Sequence, residues 1–444
     1  MGGRRAYKRL AAAAIETAAV ADMTVEGQGI ATASGKRIFV AGAITGETVS
    51  FRRTKARRNY DEAELVGVEN GSVDRVAPIC RYFGTCGGCS LQHVSSAGQL
   101  RLKERVLLEN LRRIGGVEPR ELLPPVASPE RGYRRRARLA LRMVEGKGRV
   151  LVGFSERDSS RITDMLSCET LHPRAAALIE PLSELVGSLS IAQRIPQVEV
   201  VVADNALSLL LRVLDPPGAL DRERLAAFRE RHDCRLLLQT AGPDSIAGLE
   251  PERDEGDLWY DSDGLRLGFG PADFIQVNAA VNCKLVARVR QEMCGAPGRR
   301  LLDLYCGIGN FTLPLARNSL VLGVEGEQRM VDIARRNAVF NGLGASARFA
   351  RADLSVAEAA EAWRGERFDA VLLDPPRAGA AAMLAAVAAT GADRIVYVSC
   401  HPATLARDAG TFVKELGFEL VRAGVFDMFP ATAHVESLAV FDRA

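Results

Sequence analysis

The stretch that decides the fold is residues 302–310, which read LDLYCGIGN. An apolar run leads into two glycines one residue apart, and a helical pattern follows. Glycines at this point let the backbone turn tightly and approach a ligand closely. Phe311 and Thr312 come next, so the third glycine of the dinucleotide-binding pattern is missing. The stretch predicts a strand, a ligand-binding turn and a helix start, and it argues against a pyrophosphate-bearing cofactor.

Similar strands surround this turn in the last third of the chain. Short apolar runs occupy residues 301–305, 321–324, 370–373 and 395–399, and helical patterns separate them. Strands that are apolar throughout predict a parallel sheet covered on both faces. The expected fold class is α/β, with a doubly wound domain over residues 271–444.

Polar side chains follow the carboxyl ends of these strands. Glu325, Asp374 and Cys400 each come at such an end, as does the glycine turn itself. Ligands of open α/β sheets bind outside the carboxyl ends of the strands, so we expect one shared site. Glu325 is placed to accept the ribose hydroxyls of an adenosine. Asp353 follows a further predicted strand and could reach the adenine, although it could also cap a helix.

The sequence after the later strands indicates the chemistry. Residues 374–377 read DPPR, and residues 398–402 read VSCHP. Methyltransferases that act on exocyclic amines usually carry an aromatic residue after these prolines, where this chain has Arg377. Enzymes that methylate carbon 5 of cytosine often carry a cysteine near there, but here Cys400 lies one strand later. This pattern favours a different pyrimidine chemistry.

A thiolate that adds to carbon 6 of a pyrimidine makes carbon 5 nucleophilic enough to attack a methyl sulfonium. A base must then remove the hydrogen from carbon 5. Cys400 is the candidate nucleophile, and Cys306 in the glycine turn is its rival. Glu436, at the start of a predicted final strand, and His434 are the candidate bases. Each cysteine could also be a small buried packing residue.

The N-terminal part predicts a nucleic-acid-binding barrel. Residues 20–76 form short strands separated by glycines, typical of a small oligonucleotide-binding β-barrel. Five of the seven residues 52–58 are basic, and we expect them to lie with Tyr60 on the barrel's rim. A second basic run covers residues 131–138. The net charge of only +3 does not by itself indicate nucleic-acid binding. Either basic run alone could be a solvated face, but the two runs together favour nucleic-acid binding.

The middle of the chain, residues 77–270, predicts an α+β domain. A helix is expected over residues 97–114. Strands and helices are expected further on, the strands at 138–143, 150–154, 198–202, 207–213 and 236–239, and the helices at 174–189 and 220–231.

The chain has nine cysteines, an odd number that speaks against a disulfide framework and for a reducing, cytoplasmic location. Cys80, Cys86 and Cys89 are compact, with Gly87 and Gly88 allowing a tight wrap. Either zinc or an iron–sulfur cluster takes four thiolates, and Cys168 is the best fourth candidate. The spacing alone leaves the two metals evenly matched.

No run of 18 apolar residues is present, so no transmembrane helix is expected. The first 21 residues are basic and alanine-rich. Their apolar stretch is short and is interrupted by Glu16 and Thr17. We interpret the segment as a frayed tail rather than a targeting peptide.

Five segments together resemble the RNA uracil-5-methyltransferase family: residues 274–278, 303–311, 374–379, 399–402 and 429–436. The N-terminal segment resembles the TRAM domain, an RNA-binding barrel that the 23S ribosomal RNA branch of this family carries. The resemblance implies three domains: a TRAM-like barrel over 15–76, a central iron–sulfur domain over 77–270 and a methyltransferase domain over 271–444. It also implies a cytoplasmic monomer that acts on 23S ribosomal RNA and does not associate with a membrane.

The resemblance assigns roles to individual residues. It makes Cys400 the nucleophile and Glu436 the base. It places S-adenosylmethionine against six residues: Gln276, Tyr305, Asn310, Glu325, Asp353 and Asp374. It assigns a 4Fe–4S cluster to four cysteines: Cys80, Cys86, Cys89 and Cys168. Two alternatives stay open, the same reaction on transfer RNA and a catalytically inactive, metal-containing RNA-binding protein.

Overall fold

The computed structural model describes residues 8–9, 14–250, 257–293 and 296–444. The chain divides into two compact units. The first unit comprises Met1–Lys103, Glu156–Ser159 and Phe429–His434. The second comprises Glu104–Ser155, Ser160–Met428 and Val435–Ala444.

The first unit contains a five-stranded, TRAM-like β-barrel. Its strands, with a short leading strand β1, are β1 (Lys8–Arg9), β2 (Ile15–Met23), β3 (Gln28–Ala33), β4 (Lys36–Ala41), β5 (Thr48–Ala56) and β6 (Tyr60–Asn70). The hydrogen-bonded order is β5-β2-β3-β4-β6, and β5 also pairs with β6, which closes the barrel. Alternate residues such as Ile38, Val40, Val49 and Phe51 fill the interior, as the twofold repeat of a strand requires.

Two expectations for this segment are wrong in detail. Ile15–Met23 is not part of a frayed tail, because it pairs with β5 from Ile15↔Arg52 to Ala19↔Thr48. Residues 1–7 and 10–13 of the predicted tail lie outside the described residues. Much of the first basic run belongs to strand β5 rather than to a loop on the rim. The barrel needs the length of β5 to close against both of its neighbours.

The helix Ser96–Asn110 contains the boundary between the units, and it continues as a π-turn, Leu111–Gly115. The prediction of a helix over 97–114 is therefore confirmed. Gly116 ends the turn with φ +63°, a left-handed conformation that glycine adopts without strain.

The second unit begins with a six-stranded mixed sheet in the order β13-β12-β11-β10-β8-β9. Its strands are β8 (Arg136–Val144), β9 (Arg149–Gly153), β10 (Gln197–Val202), β11 (Leu207–Arg212), β12 (Cys234–Gln239) and β13 (Ile246–Gly248). Its helices are Pro173–Ala176, Ile179–Ser188 and Ala219–His232. The helix expected over 174–189 is thus two helices, interrupted at Ala177 and Leu178.

The second unit also contains an eight-stranded sheet in the order β18-β17-β16-β19-β20-β22-β21-β7. Its strands are β7 (Glu121–Leu122), β16 (Arg300–Leu304), β17 (Leu320–Glu325), β18 (Ala347–Arg351), β19 (Ala370–Leu373), β20 (Arg394–Ser399), β21 (Phe418–Phe426) and β22 (Glu436–Arg443). A hairpin of β14 (Leu258–Ser262) and β15 (Leu265–Phe269) precedes it. The accompanying helices are Ala279–Met293, Thr312–Ala316, Gln328–Phe340, Leu384–Ala389 and Pro402–Lys414.

Five neighbouring strands of this sheet, from β18 to β20, are parallel, and β22 is antiparallel to β20. All four residues of Ala370–Leu373 are buried, which confirms the prediction of a sheet covered on both faces. The strand order reverses at β16, with β17 on one side and β19 on the other. Ligands of such sheets bind at this switch point. In the described part of the chain, no helix is long and apolar enough to cross a membrane.

Candidate active site

The turn after β16 has an unusual backbone. Tyr305, Gly307 and Gly309 have φ values of +66°, +54° and +94°. A left-handed conformation costs a bulky residue on the order of 1–3 kcal/mol. The amides of Tyr305 and Cys306 both donate to the carbonyl oxygen of Val324, at 2.9 and 3.2 Å, and these bonds hold the strained turn open toward the sheet edge.

Glu325, at the end of β17, is fixed by the same turn. Its carboxylate accepts hydrogen bonds from the backbone amides of Gly307 at 3.0 Å, Gly326 at 2.6 Å and Glu327 at 3.2 Å. These bonds orient the carboxylate beside the glycine turn. It is half-buried, and its free lone pairs can accept the hydroxyls of a ribose.

Asn310 lies in a network of polar side chains that the sequence analysis did not find. Its side-chain oxygen accepts from Tyr260 Oη at 3.0 Å and from Asn282 Nδ2 at 2.9 Å, and its own Nδ2 donates to Asn282 Oδ1 at 3.0 Å. Asn310 therefore has one N–H left to offer a ligand. Asn282 lies on the helix Ala279–Met293, and its pairing with Asn310 comes from tertiary packing that the sequence does not mark.

The other predicted cofactor residues are placed differently. Gln276 is half-buried in the segment before the helix Ala279–Met293. Asp353 is exposed, and one of its oxygens caps the turn at Ser355 through the backbone amide at 3.0 Å and the hydroxyl at 2.6 Å. These bonds lower the pKa of Asp353, so its second oxygen stays a charged acceptor.

Two carboxyl groups at this edge resist ionisation. Burial raises the pKa of Asp303 to about 7, against a hydrogen bond from Thr312 Oγ1 at 2.5 Å. Burial also raises the pKa of Asp374 to about 7. No described residue donates a hydrogen bond to the Asp374 side chain. A cationic ligand at this edge is expected to lower both pKa values by direct attraction.

Cys400 and Glu436 face each other across two strands. β20 and β22 are antiparallel, and their last pair is Ser399↔Ser437. Cys400 and Glu436 follow one step beyond that pair on the facing chain ends. The Ser437 hydroxyl donates to the Ser399 carbonyl oxygen at 3.1 Å, which locks this register.

The surroundings of both groups change their ionisation. Burial raises the pKa of Cys400, with Glu436 and Asp374 adding to the shift and Arg377 opposing it. Burial and Asp374 raise the pKa of Glu436 to about 8. A carboxyl group with a pKa near neutrality can both take up and release a proton under working conditions.

The rival residues have different environments. Cys306 is buried, and burial raises its pKa well above the ordinary value. His434 is exposed, and its ring lies on Phe429 with the ring centroids 4.9 Å apart. His434 is thus open to solvent, whereas Glu436 is only 5% exposed.

The second basic run supports the segment that carries Gln276. Arg136 donates to the Ala272 carbonyl oxygen at 2.9 Å and pairs with Glu199 at 2.8 Å. The Arg135 amide donates to the Val277 carbonyl oxygen at 2.9 Å. Several arginines of this run thus hold the chain near the site rather than forming a free cationic face.

In the first unit, the first basic run is also paired. Arg52 contacts Glu64 at 3.0 Å, Arg53 contacts Glu16 at 2.7 Å and Lys55 contacts Glu62 at 2.7 Å. These carboxylates lie on neighbouring strands of the barrel. The sequence analysis could not see them, because the strand register decides which charges meet.

The cysteine-rich loop also belongs to the first unit. Cys80, Cys86 and Cys89 are half-buried, and the Gly88 amide donates to Cys86 Sγ at 3.4 Å. In the second unit Cys168 is free, and its Sγ lies 3.3 Å from Thr170 Oγ1. The described residues contain no group of three His, Cys, Asp or Glu side chains placed around a single metal ion.

The strand order, the strained glycine turn and the carboxylate that closes it define a class I S-adenosylmethionine-dependent methyltransferase. Comparisons with known proteins narrow the class. The model of the tRNA (uracil-5-)-methyltransferase family matches residues 266–444.

Two relatives carry the name 23S rRNA (uracil(1939)-C(5))-methyltransferase RlmD. The protein from Cupriavidus metallidurans is 48% identical, over 92% of this chain and 90% of its own. The protein from Methylococcus capsulatus is 47% identical over 100% of both chains. The chain therefore belongs to the RNA uracil-5-methyltransferase family.

A solved structure shows the same fold. The Pyrococcus abyssi tRNA (uracil-54, C5)-methyltransferase, in complex with S-adenosyl-L-homocysteine, superposes with a TM-score of 0.71 and 23% identity. The match covers 96% of this chain and 100% of that one.

Proposed function

We propose that this enzyme transfers a methyl group from S-adenosylmethionine to carbon 5 of one uridine in 23S ribosomal RNA, the uridine that corresponds to position 1939. The carrying observation is the pair of Cys400 and Glu436 beyond Ser399↔Ser437. Full-length identity of 47% to a relative named for that reaction supports the substrate.

Cys400 acts as the nucleophile. Its thiolate adds to carbon 6 of the uracil, and the electron pair of the 5,6 double bond moves toward carbon 5 and the carbonyl oxygen. Cys400 is half-buried, so a uracil ring can reach its sulfur. The positive charge of Arg377 favours its thiolate, against the carboxyl groups that raise its pKa.

When bound, S-adenosylmethionine supplies an electrophilic methyl group on a sulfonium. Glu325 would accept the ribose hydroxyls, and Asn310 would offer its remaining N–H to the cofactor. Tyr305, Gln276, Asp353 and Asp374 would be the further contacts. The two carboxyl groups with raised pKa values, Asp303 and Asp374, favour a cation at this edge.

Glu436 completes the reaction. Once carbon 5 carries the methyl group, Glu436 takes the proton from carbon 5, the double bond reforms and the Cys400 thiolate leaves. Its raised pKa lets it hold that proton until solvent removes it. His434, exposed to solvent, serves no step of this mechanism.

We further propose that Cys80, Cys86, Cys89 and Cys168 hold a 4Fe–4S cluster. Four cysteine thiolates are the donor set that such a cluster takes, and the amide directed at Cys86 Sγ suits a cluster-bound thiolate. The cluster's role is structural, since methyl transfer needs no electron. Iron and sulfide analysis with Mössbauer spectra should find four irons per chain. Cys86→Ala should lose this iron and should also give a lower yield of folded protein. Cys283→Ala, at an exposed free cysteine, should keep both.

The substrate is tested by incubating the protein with labelled S-adenosylmethionine and either unmodified 23S ribosomal RNA or unmodified transfer RNA. We expect 5-methyluridine in the ribosomal RNA at a single position. Label in transfer RNA alone would select the alternative substrate. Absence of label from both RNAs would select the inactive RNA-binding protein.

A further inference from the structure

A cavity of about 650 Å³ lies on the outside of the barrel in the first unit, within the usual range of ligand sites, roughly 300–1,000 Å³. Strand alternation explains its wall. Ile38 and Val40 point into the barrel core, so Arg37 and Phe39 of the same strand point outward. The parallel register Arg37↔Tyr60 brings Tyr60 of β6 beside them.

Two aromatic rings form the apolar part of this cavity. Phe39 and Tyr60 pack edge to face, with centroids 5.2 Å apart and planes at 84°. Tyr60 remains 37% exposed. An exposed ring that is held rigidly by a second ring is a stacking platform, and single-stranded nucleic acids bind by stacking bases on such rings.

Cations surround the rings. Lys55 and Arg57 line the cavity and share Glu62, at 2.7 and 3.1 Å. Arg37 lines it too, is exposed, and forms an ion pair with none of the residues that the structure describes. The three cations outnumber the two carboxylates of the lining, Glu62 and Asp158, so the cavity suits an anionic backbone with a flat base.

The neighbouring cations form ion pairs with carboxylates of the barrel itself. Arg53 bridges Glu16 at 2.7 Å and Asp61 at 2.8 Å, and these contacts raise its pKa. Arg52 pairs with Glu64. Arg37 of β4 is therefore available to an outside partner, whereas Arg52 and Arg53 in the middle of the basic run on β5 are paired within the barrel.

We propose that this cavity is a binding site for one unstacked nucleobase of the substrate RNA, with the base against the Tyr60 ring and a flanking phosphate at Arg37. The inference rests on the proposed function, because it takes RNA as the ligand. Phe39 acts as a positioning residue that holds the Tyr60 ring.

The test measures binding of a fragment of 23S ribosomal RNA around the target uridine at several salt concentrations, alongside its methylation. Tyr60→Ala should weaken binding about 5- to 150-fold, the range that loss of one stacked base implies, and Tyr60→Phe should restore it. Arg37→Ala should lower the slope of log affinity against log salt by about 0.7. Arg364→Ala, at an exposed arginine of the second unit, should change neither quantity. Methylation at saturating RNA should be unchanged in Arg364→Ala.

If Tyr60→Ala binds the RNA as tightly as the unmutated protein, and the unmutated protein methylates it, the proposed base-binding site is rejected. The proposed function is not affected by that result. A lowered salt slope in Arg52→Ala but not in Arg37→Ala would place the RNA on β5 instead of in the cavity. If the unmutated protein fails to methylate the fragment at all, the proposed function fails rather than the base site alone.

Discussion

Cys306 and Cys400 stand at the carboxyl ends of two strands of one sheet, yet their surroundings make them different groups. Cys306 follows β16 and is packed under the sheet: a Cβ added at Gly323 would lie 2.9 Å from its Sγ. Cys400 follows β20, is half-buried and lies beyond the pair Ser399↔Ser437 with Glu436 opposite. Reactivity requires a sulfur that a substrate can reach, and of these two cysteines Cys400 is the one that is not fully buried.

The two halves of the sheet edge therefore have different roles, one structural and one catalytic. Around Cys306, backbone amides and Glu325 build a rigid recess in which the cysteine only fills space. Around Cys400, carboxyl groups with raised pKa values and Arg377 surround an accessible sulfur. Position at a strand end indicates that a residue is near the site. Burial and neighbours decide whether it reacts.

The largest effect is expected at Cys400. Cys400→Ala should reduce methylation to background, because Cys400 is the thiol that the described residues place opposite Glu436. S-adenosylmethionine should still bind, since its proposed contacts lie on other strands. Labelled-methyl transfer and equilibrium dialysis measure the two properties. Retained methylation would reject covalent catalysis by Cys400.

Glu436→Gln should lower turnover by roughly 10²–10⁴-fold, the usual contribution of a positioned base. Addition and methyl transfer can still proceed, so a methylated RNA joined to the protein should accumulate and survive denaturation on a gel. His434→Ala is the matched control and should turn over without an adduct. The opposite pattern would assign the base to His434.

The same substitution should change stability in a pH-dependent way. A carboxyl group whose folded pKa of about 8 exceeds its unfolded value disfavours folding as pH rises from about 4.5 to above 8. Glu436→Gln removes that cost. Its free energy of unfolding should match the unmutated protein near pH 4 and exceed it near pH 9 by an amount on the order of a few kcal/mol. Urea unfolding at both pH values checks this, and an equal difference at both would contradict the raised pKa.

The smallest effect on activity is expected at Cys306. Cys306→Ala should leave the methylation rate nearly unchanged and cost about 1 kcal/mol of stability, because one buried heavy atom is lost. Rate assays and urea unfolding measure these effects. A collapse of activity without loss of fold would show that the two cysteines had been assigned the wrong roles.

Much of the second unit's sheet could be predicted from the sequence, because its strands are apolar on both faces and separated by helical patterns. The final strand that starts at Glu436 was also predicted and is confirmed; its antiparallel pairing with the Cys400 strand is a finding of the structure. The break between Pro173–Ala176 and Ile179–Ser188 was missed, since Ala177 and Leu178 are ordinary helix formers.

The candidate site could be predicted only where the chain itself carries the signal. The glycines and Cys400 follow strands, and Glu436 begins one, so these residues could be found, but the partners of Asn310 and Arg136 could not. Asn282, Tyr260 and Glu199 come to these residues through tertiary packing between distant segments. For the same reason, both basic runs were expected to be freer than their ion pairs allow.

The most direct test of the account is to trap the reaction with RNA that carries 5-fluorouridine at the target position, because fluorine cannot leave as a cation. After digestion of protein and RNA, mass spectrometry identifies the modified peptide. We predict a methylated fluorouridine joined to the peptide that contains Cys400, and an unmodified peptide containing Cys306. An adduct on Cys306, or methyl transfer with no adduct on either cysteine, would contradict the central claim.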